Sequence, residues 1–323
     1  MTTPLLEVKN LQKRFLTSKG WFQQPTYVHA VNDVNVTVNV GETLGIVGES
    51  GCGKSTLGRC ILRLVEPTDG QIVFQGNNIR TFNKADMHKV RRNMQMVFQN
   101  PFDTLNPKLT IQHVLTEPLI AHDIPKEHRQ SLIEETIEIV GLSKRHLSRY
   151  AHEFSGGQRQ RIGIARALML RPKLIIADEP VSALDVSIQS QILNLLQDLQ
   201  EQFSLTYLFI SHDLRVVEHI ADRVAVMYLG EVIELAKKEE LFQRPMHPYA
   251  QSLLSAVPVS DPDEKRERII LTGDLPSPSN PPKGCKFHPR CWACMDVCET
   301  ETPVLKEVEG RMVACHLYSM AGK

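Results

Sequence analysis

Apolar residues in this chain come in short runs divided by glycine, proline and charge, and the texture of the runs changes along the sequence. Leu5 to Leu11 reads as a short strand, and residues 16–29, which hold Gly20, Trp21, Pro25 and Tyr27, read as a loop. From His29 to Val40 the positions alternate, with Val34, Val36, Val38 and Val40 on one face, the period of a half-buried strand. Thr43-Leu44-Gly45-Ile46-Val47 is apolar enough for a buried strand, and Thr56 to Leu64 is compatible with a helix. Gln71–Phe74 and Met94–Phe98 add two strands. The strand signal then fades: Glu127 to Val140 carries Leu132, Ile133, Ile137 and Val140 as a helical stripe. It returns at Lys173–Ala177, followed by a helix over 187–202 and strands at Thr206–Ile210, Arg223–Tyr228 and Glu231–Leu235. Strands alternating with helices predict an α/β fold with a mostly parallel sheet and a ligand at the strand carboxyl ends. A helical subdomain is expected as an insertion over about 100–165. Beyond Ala256 the composition shifts, with Pro258, Pro262, Pro276, Pro278, Pro281 and Pro282 close together. That predicts an extended linker or irregular domain in which a small apolar core is not expected.

The chain has 323 residues, enough for more than one domain. Lys plus Arg and Asp plus Glu are both 37, so the zero formal charge gives no sign of a nucleic-acid partner. No run of eighteen apolar residues exists, so no membrane span is expected. Met1 to Glu7 lacks the charged and apolar regions of a signal peptide, which predicts a cytosolic location. Of seven cysteines, Cys52 and Cys60 lie early and five lie between Cys285 and Cys315. In a reducing compartment such a cluster suggests metal ligands rather than disulfides.

The sharpest local pattern is Gly48-Glu49-Ser50-Gly51-Cys52-Gly53-Lys54-Ser55, which fits the phosphate-binding loop G-x-x-x-x-G-K-[ST] between a strand and a helix. Its glycines let successive N–H groups point inward, and the helix N-terminus adds partial positive charge. Lys54 can reach β- and γ-phosphates, and the Ser55 hydroxyl can ligate Mg²⁺. Ile175-Ile176-Ala177-Asp178-Glu179 ends an apolar strand in two carboxylates, one suited to Mg²⁺ and the next to polarising a water. In Phe154-Ser155-Gly156-Gly157-Gln158, Ser155 reads as a helix N-cap whose donors could also meet an anion.

With Gln99 after a strand, Ser182-Ala183-Leu184-Asp185 and Ser211-His212-Asp213, these pieces occur in one order. That order resembles the ATP-binding subunit of an ABC transporter over about residues 5–255. The resemblance implies a P-loop NTPase ABC ATPase domain, 1–255, with a RecA-like parallel core, added antiparallel strands and the helical subdomain. It implies a head-to-tail dimer with ATP between the phosphate loop of one chain and the signature of the other. Gly48, Glu49, Ser50, Gly51, Cys52, Gly53, Lys54, Ser55 and Thr56 then bind ATP. Phe15 stacks on adenine, with core packing the plain alternative and Tyr27 a competitor. Ser155, Gly156, Gly157 and Gln158 cap the partner's ATP, and Asp185 lies at the dimer interface. Ser55, Gln99 and Asp178 serve Mg²⁺, Glu179 is the general base, and His212 holds the γ-phosphate. Phe154 replaces the family's usual leucine and keeps its apolar role.

Asn100-Pro101-Phe102-Asp103, Glu117-Pro118-Leu119, Arg244-Pro245-Met246-His247-Pro248-Tyr249 and Gly273-Asp274-Leu275-Pro276 narrow the likeness. They resemble the ATPases of dipeptide/oligopeptide importers, looking closest to the dipeptide-permease member of the two-ATPase pair. This implies a second homologous ATPase in a heterodimer, two transmembrane permease subunits, an extracytoplasmic peptide-binding protein and a peripheral place at the cytoplasmic face of the inner membrane. Import of nickel or another small solute is the related alternative, and a soluble non-transport ABC ATPase the distant one. In the segment 256–323, Cys285, Cys291, Cys298 and Cys315 resemble the family's [4Fe–4S] tail. Cys294 departs from that pattern and could substitute for a middle ligand. Thiolates also suit Zn²⁺, with His288 and His316 nearby.

Overall fold

The computed structural model describes residues 4–18, 26–100, 104–257 and 268–318. In chain order the strands are β1 (Pro4–Ser18), β2 (Thr26–Asn39), β3 (Thr43–Val47), β4 (Asp69–Phe74), β5 (Asn77–Asn78), β6 (Met94–Val97), β7 (Leu174–Asp178), β8 (Thr206–Ile210), β9 (Arg223–Tyr228), β10 (Glu231–Lys237), β11 (Lys306–Val308) and β12 (Arg311–Val313). The helices are α1 (Lys54–Ile61), α2 (Lys84–Arg91), α3 (Ile111–Ala121), α4 (Lys126–Ile139), α5 (Gly156–Leu168), α6 (Val186–Phe203), α7 (Leu214–Ile220), α8 (Lys238–Gln243), α9 (Pro248–Ser255) and α10 (Asp296–Thr300). The chain forms two compact units.

One unit is made chiefly of Val38–Thr43 and Thr81–Ser211. Its strands run parallel in the order β8-β7-β6, with Met94 opposite Leu174 and Asp178 opposite Ile210. Every residue of β7 and β8 is buried, which explains their unbroken apolar sequences. The crossover from β6 to β7 holds α3, α4 and α5, which pack on one another. Ile133, Ile137 and Val140 are buried along the stripe read from the sequence. The helix α5 also packs against β6 and α6, carrying the Ser155 turn with it.

The other unit contains the described parts of Leu5–Thr37, Leu44–Arg80 and His212–Lys323. One sheet runs β2-β1-β4-β5, with β1 antiparallel to β4 and Val8 opposite Ile72. A second set of strands runs β11-β12-β10-β9-β3. Of these only β3 and β9 pair in parallel, with Leu44 opposite Arg223 and Val47 opposite Val226; β12 adds to β10 antiparallel, with Val313 opposite Glu234. Of the loop read over 16–29, residues 19–25 lie outside the described residues, and the flanking positions are strand. The strand β1 continues to Ser18 and β2 begins at Thr26, where the Thr17 hydroxyl donates to the Thr26 carbonyl at 2.8 Å. Val40 leaves the valine face as an exposed residue, because β2 stops at Asn39.

The tail also differs from the expectation of no apolar core. Phe287 is 1% exposed and meets the rings of Tyr228, Tyr249 and His247 at 5.3 to 5.6 Å. Val313 and Cys315 pack with Met246, flanked by Val308 and Tyr318. Proline-rich sequence hid this core because half of it comes from β9 and α9, well upstream of the cysteines.

Candidate ATP site

Candidate site residues occur in both units. In the unit that contains β3, the chain leaves the strand at Gly48 and enters α1 at Lys54. Gly48 has φ 152° and a Cβ there would run into the Met227 carbonyl; Gly53 has φ 106° and its Cβ would strike the Ala30 carbonyl. Only glycine allows the loop to curl at these two points. Gly53 caps α1 without a side-chain hydrogen bond, and the N-terminus of a helix behind such a loop favours an anion. Lys54 is buried and folds back, donating to the carbonyls of Gly48 at 2.8 Å and Glu49 at 3.0 Å. Burial pushes the Cys52 thiol up against the opposing pull of Lys54, so it stays protonated beside the ammonium.

Glu49 is held at both its side chain and its backbone. Arg290 donates two hydrogen bonds to its carboxylate, at 3.0 and 3.1 Å, and the Glu49 N–H donates to the Tyr249 hydroxyl at 2.9 Å. Sequence reading missed both partners. The His-Pro-Tyr turn that carries Tyr249 was visible, but nothing local marks Arg290. Phe15 is 39% exposed on β1 with the Lys13 ammonium 4.8 Å from its ring centre, so plain core packing does not describe it; Tyr27 is exposed as well. His212 is exposed just ahead of Asp213, which caps α7 by accepting from the Arg215 N–H.

In the unit that contains β7, Asp178 ends the strand with 1% exposure and Glu179 follows with φ 48°. A glutamate in left-handed backbone costs about 1 kcal/mol or more, and such strain collects where function fixes a side chain. Here the Glu179 N–H is tied to the Ile210 carbonyl at 2.9 Å, and Gln99 Nε2 donates to the Glu179 carboxylate at 2.9 Å. Two residues the sequence placed 80 positions apart are thereby joined. Ser155 does cap α5, and with Gln158 it forms a reciprocal capping box. A Cβ on Gly157 would come 2.5 Å from Ile188, so the small residue also lets α5 lie close to α6. Asp185 caps α6, accepting from the Ile188 N–H and the Ser187 hydroxyl, and these bonds hold its carboxyl below the usual range.

The tail cysteines are all free thiols. Burial pushes Cys285 up to about 12, with Cys298, Cys315 and Cys291 adding like-charge repulsion, and Cys315, up to about 11, feels Cys291 and Cys298 in turn. Cys294 is exposed and senses only Cys298 among the thiols that raise it. His288 Nδ1 pairs with the Cys285 carbonyl at 2.8 Å and His316 Nε2 with the Glu301 carbonyl at 2.9 Å, so both imidazoles are engaged by backbone. Among the described residues no group of three or more His, Cys, Asp or Glu closes around a single metal ion.

A glycine-cradled phosphate loop opening a helix, a strand ending in Asp178-Glu179 and a capped Ser-Gly-Gly-Gln helix define an ATPase of the ATP-binding-cassette class. The family model described as "ABC transporter" matches residues 31–182, and the one described as "Oligopeptide/dipeptide transporter, C-terminal region" matches 233–298. The oligopeptide transport ATP-binding protein AppF of Bacillus subtilis is 55% identical over 321 residues, 98% of each chain. Among solved structures, cbiO1 of Clostridium perfringens, part of an ABC transporter complex, is 26% identical with a TM-score of 0.65, covering 75% of this chain and 91% of that one. A dimeric ATP-binding cassette in a post-hydrolysis state with ADP and Pi is 30% identical with a TM-score of 0.63, covering 72% and 98%. The chain belongs to the ATP-binding proteins of oligopeptide/dipeptide ABC transporters. No described helix is long and apolar enough to cross a membrane.

Proposed function

We propose that this ATPase powers the import of short peptides through a membrane ABC transporter. The observation that carries the reading is the glycine-cradled phosphate loop in a chain that matches a peptide-transport ATPase from end to end. ATP closes a head-to-tail dimer and hydrolysis reopens it. Glu179 acts as general base, oriented by Gln99; Ser155, Gly156, Gly157 and Gln158 cap the partner's nucleotide, Asp185 lies at the dimer interface, His212 contacts the γ-phosphate, and Phe15 stacks on adenine. The Ser55 hydroxyl and the buried Asp178 carboxylate are hard oxygen donors of the kind Mg²⁺ prefers. Bound there, the ion would neutralise phosphate charge.

The same family reading gives the partners: a second, homologous ATPase in a heterodimer, two permease subunits and an extracytoplasmic peptide-binding protein, with this chain peripheral at the cytoplasmic face. Residues 1–255 form the nucleotide-binding domain and 256–323 the cysteine-rich tail. For the tail we favour a [4Fe–4S] cluster on Cys285, Cys291, Cys298 and Cys315. Four cysteine thiolates are the donor set such a cluster takes, and all four are free thiols. Glu179→Gln tests the function. ATP binding should persist and turnover of the assembled transporter should fall about 10²–10⁴-fold; turnover at the wild-type rate would overturn the general-base assignment.

A further inference from the structure

Arg290 sits in a single turn, His288–Arg290, bracketed by Cys285 and Cys291. The turn is wound on its own backbone: the His288 N–H donates to the Cys285 carbonyl and the Cys291 N–H to the His288 carbonyl. Its floor is Phe287, locked among Tyr228, Tyr249 and His247. From this base the Arg290 side chain, 9% exposed, reaches 241 residues back along the sequence to Glu49 in the phosphate loop. The contact is a two-pronged guanidinium–carboxylate pair, the geometry in which Arg is not replaceable by Lys. Tyr249, from the same aromatic group, takes the Glu49 N–H. Two groups reaching the loop from outside therefore fix one residue of it, and both lean on Phe287.

The charges give this contact a purpose. Glu49 places a carboxylate in a loop whose task, on the reading above, is to receive a triphosphate. An uncompensated anion there repels the ligand and competes for Lys54, which already bonds the Glu49 carbonyl. Arg290 cancels that charge and fixes the loop at the same time. We infer that Arg290 is a positioning residue for the phosphate loop: the cysteine-rich tail, through the Arg290–Glu49 pair, sets the loop's shape and charge for ATP. The tail is thus part of the nucleotide-binding apparatus.

The inference rests on the phosphate-loop reading, so the experiment separates the two. ATP·Mg binding is titrated on the full chain and ATPase kinetics are followed in the assembled transporter. Arg290→Gln should raise the dissociation constant and KM for ATP about tenfold, the effect of about 1.4 kcal/mol, with kcat changed less than about twofold. Arg290→Lys should restore only part, because it keeps the charge and loses the fork. In a Glu49→Gln background the same Arg290→Gln change should cost less than about twofold, since the charge it cancels is gone. A general folding defect would persist in that background, so an equal loss in both backgrounds overturns the inference, as does wild-type affinity in Arg290→Gln. Lys54→Ala is the control for the underlying reading. If it binds ATP normally, the phosphate-loop reading itself fails; if it loses binding while the Arg290 variants do not, only the tail's role fails.

Discussion

Replacing Phe287 by Ala tests whether the tail is docked through the aromatic core it shares with β9 and α9. The ring is buried, T-shaped to Tyr228 at 5.3 Å and to Tyr249 at 5.4 Å and tilted to His247 at 5.6 Å. Truncating a buried Phe costs about 3–5 kcal/mol from lost transfer energy and the cavity left behind. Three ring contacts, each worth about 0.5–1.5 kcal/mol beyond area, keep this site off the low end of that range, at about 4 kcal/mol. The loss should fall on the tail before the rest of the molecule, because Phe287 has its partners in one small cluster. Native-state hydrogen exchange reads it directly. The Cys285 amide, bonded to the Cys298 carbonyl, and the Ala314 amide, bonded to the Ile233 carbonyl, report the tail. Both should lose about 4 kcal/mol of protection or reach the unprotected limit, while amides of the buried strand β7 keep theirs. Wild-type exchange at Cys285 and Ala314 in Phe287→Ala would refute the docking argument.

Other expectations follow from single contacts. Gly53→Ala forces a left-handed Cβ against the Ala30 carbonyl. It should weaken ATP binding at least tenfold in a titration while far-ultraviolet circular dichroism stays native, the strain exceeding about 1 kcal/mol. His247 is fully buried and burial lowers it from 6.5 to about 3, so it folds neutral and the unfolded chain binds the extra proton. Its contribution to stability is complete above pH 6.5 and is lost as pH falls toward 3, by up to about 1.4 kcal/mol per pH unit. Glu234, raised by its own burial, bends the profile the other way. The difference between wild type and His247→Gln in urea midpoints from pH 7 to 5 therefore isolates the histidine. For the tail, Cys298→Ser should abolish iron and acid-labile sulfide in anaerobically purified protein, and Cys294→Ser should leave both near wild type. Equal losses would move Cys294 into the ligand set.

The phosphate loop was legible because its chemistry fixes residue types over eight consecutive positions, and Gly48 and Gly53 are where backbone carbonyls close in. The capping role of Ser155 was legible for the same reason, since a cap and its partner Gln158 lie within one turn. The strands β7 and β8 announced themselves as apolar runs because both faces are covered. What could not be read depends on distant partners. The outer part of β1 holds Lys13, Arg14 and Thr17, which look like loop residues and become strand because β2 and β4 flank them. Phe287 looked like one aromatic in a proline-rich tail, since its companions are at 228, 247 and 249. The Glu49–Arg290 pair has no local signature at all, because a salt bridge across most of the chain leaves no periodicity behind.

The pairing of β3 with β9 has a consequence for synthesis. Leu44 and its partner Arg223 are about 180 residues apart. At typical elongation rates of about 5–20 residues per second, β3 waits roughly ten to forty seconds on the ribosome for that neighbour. Until then Met227, whose carbonyl closes over Gly48, does not exist. A nascent chain stalled in the helical insertion already carries the complete Gly48–Ser55 sequence yet lacks the wall that shapes it. Such a product should emerge nucleotide-blind, with an unpaired apolar strand for chaperones to cover.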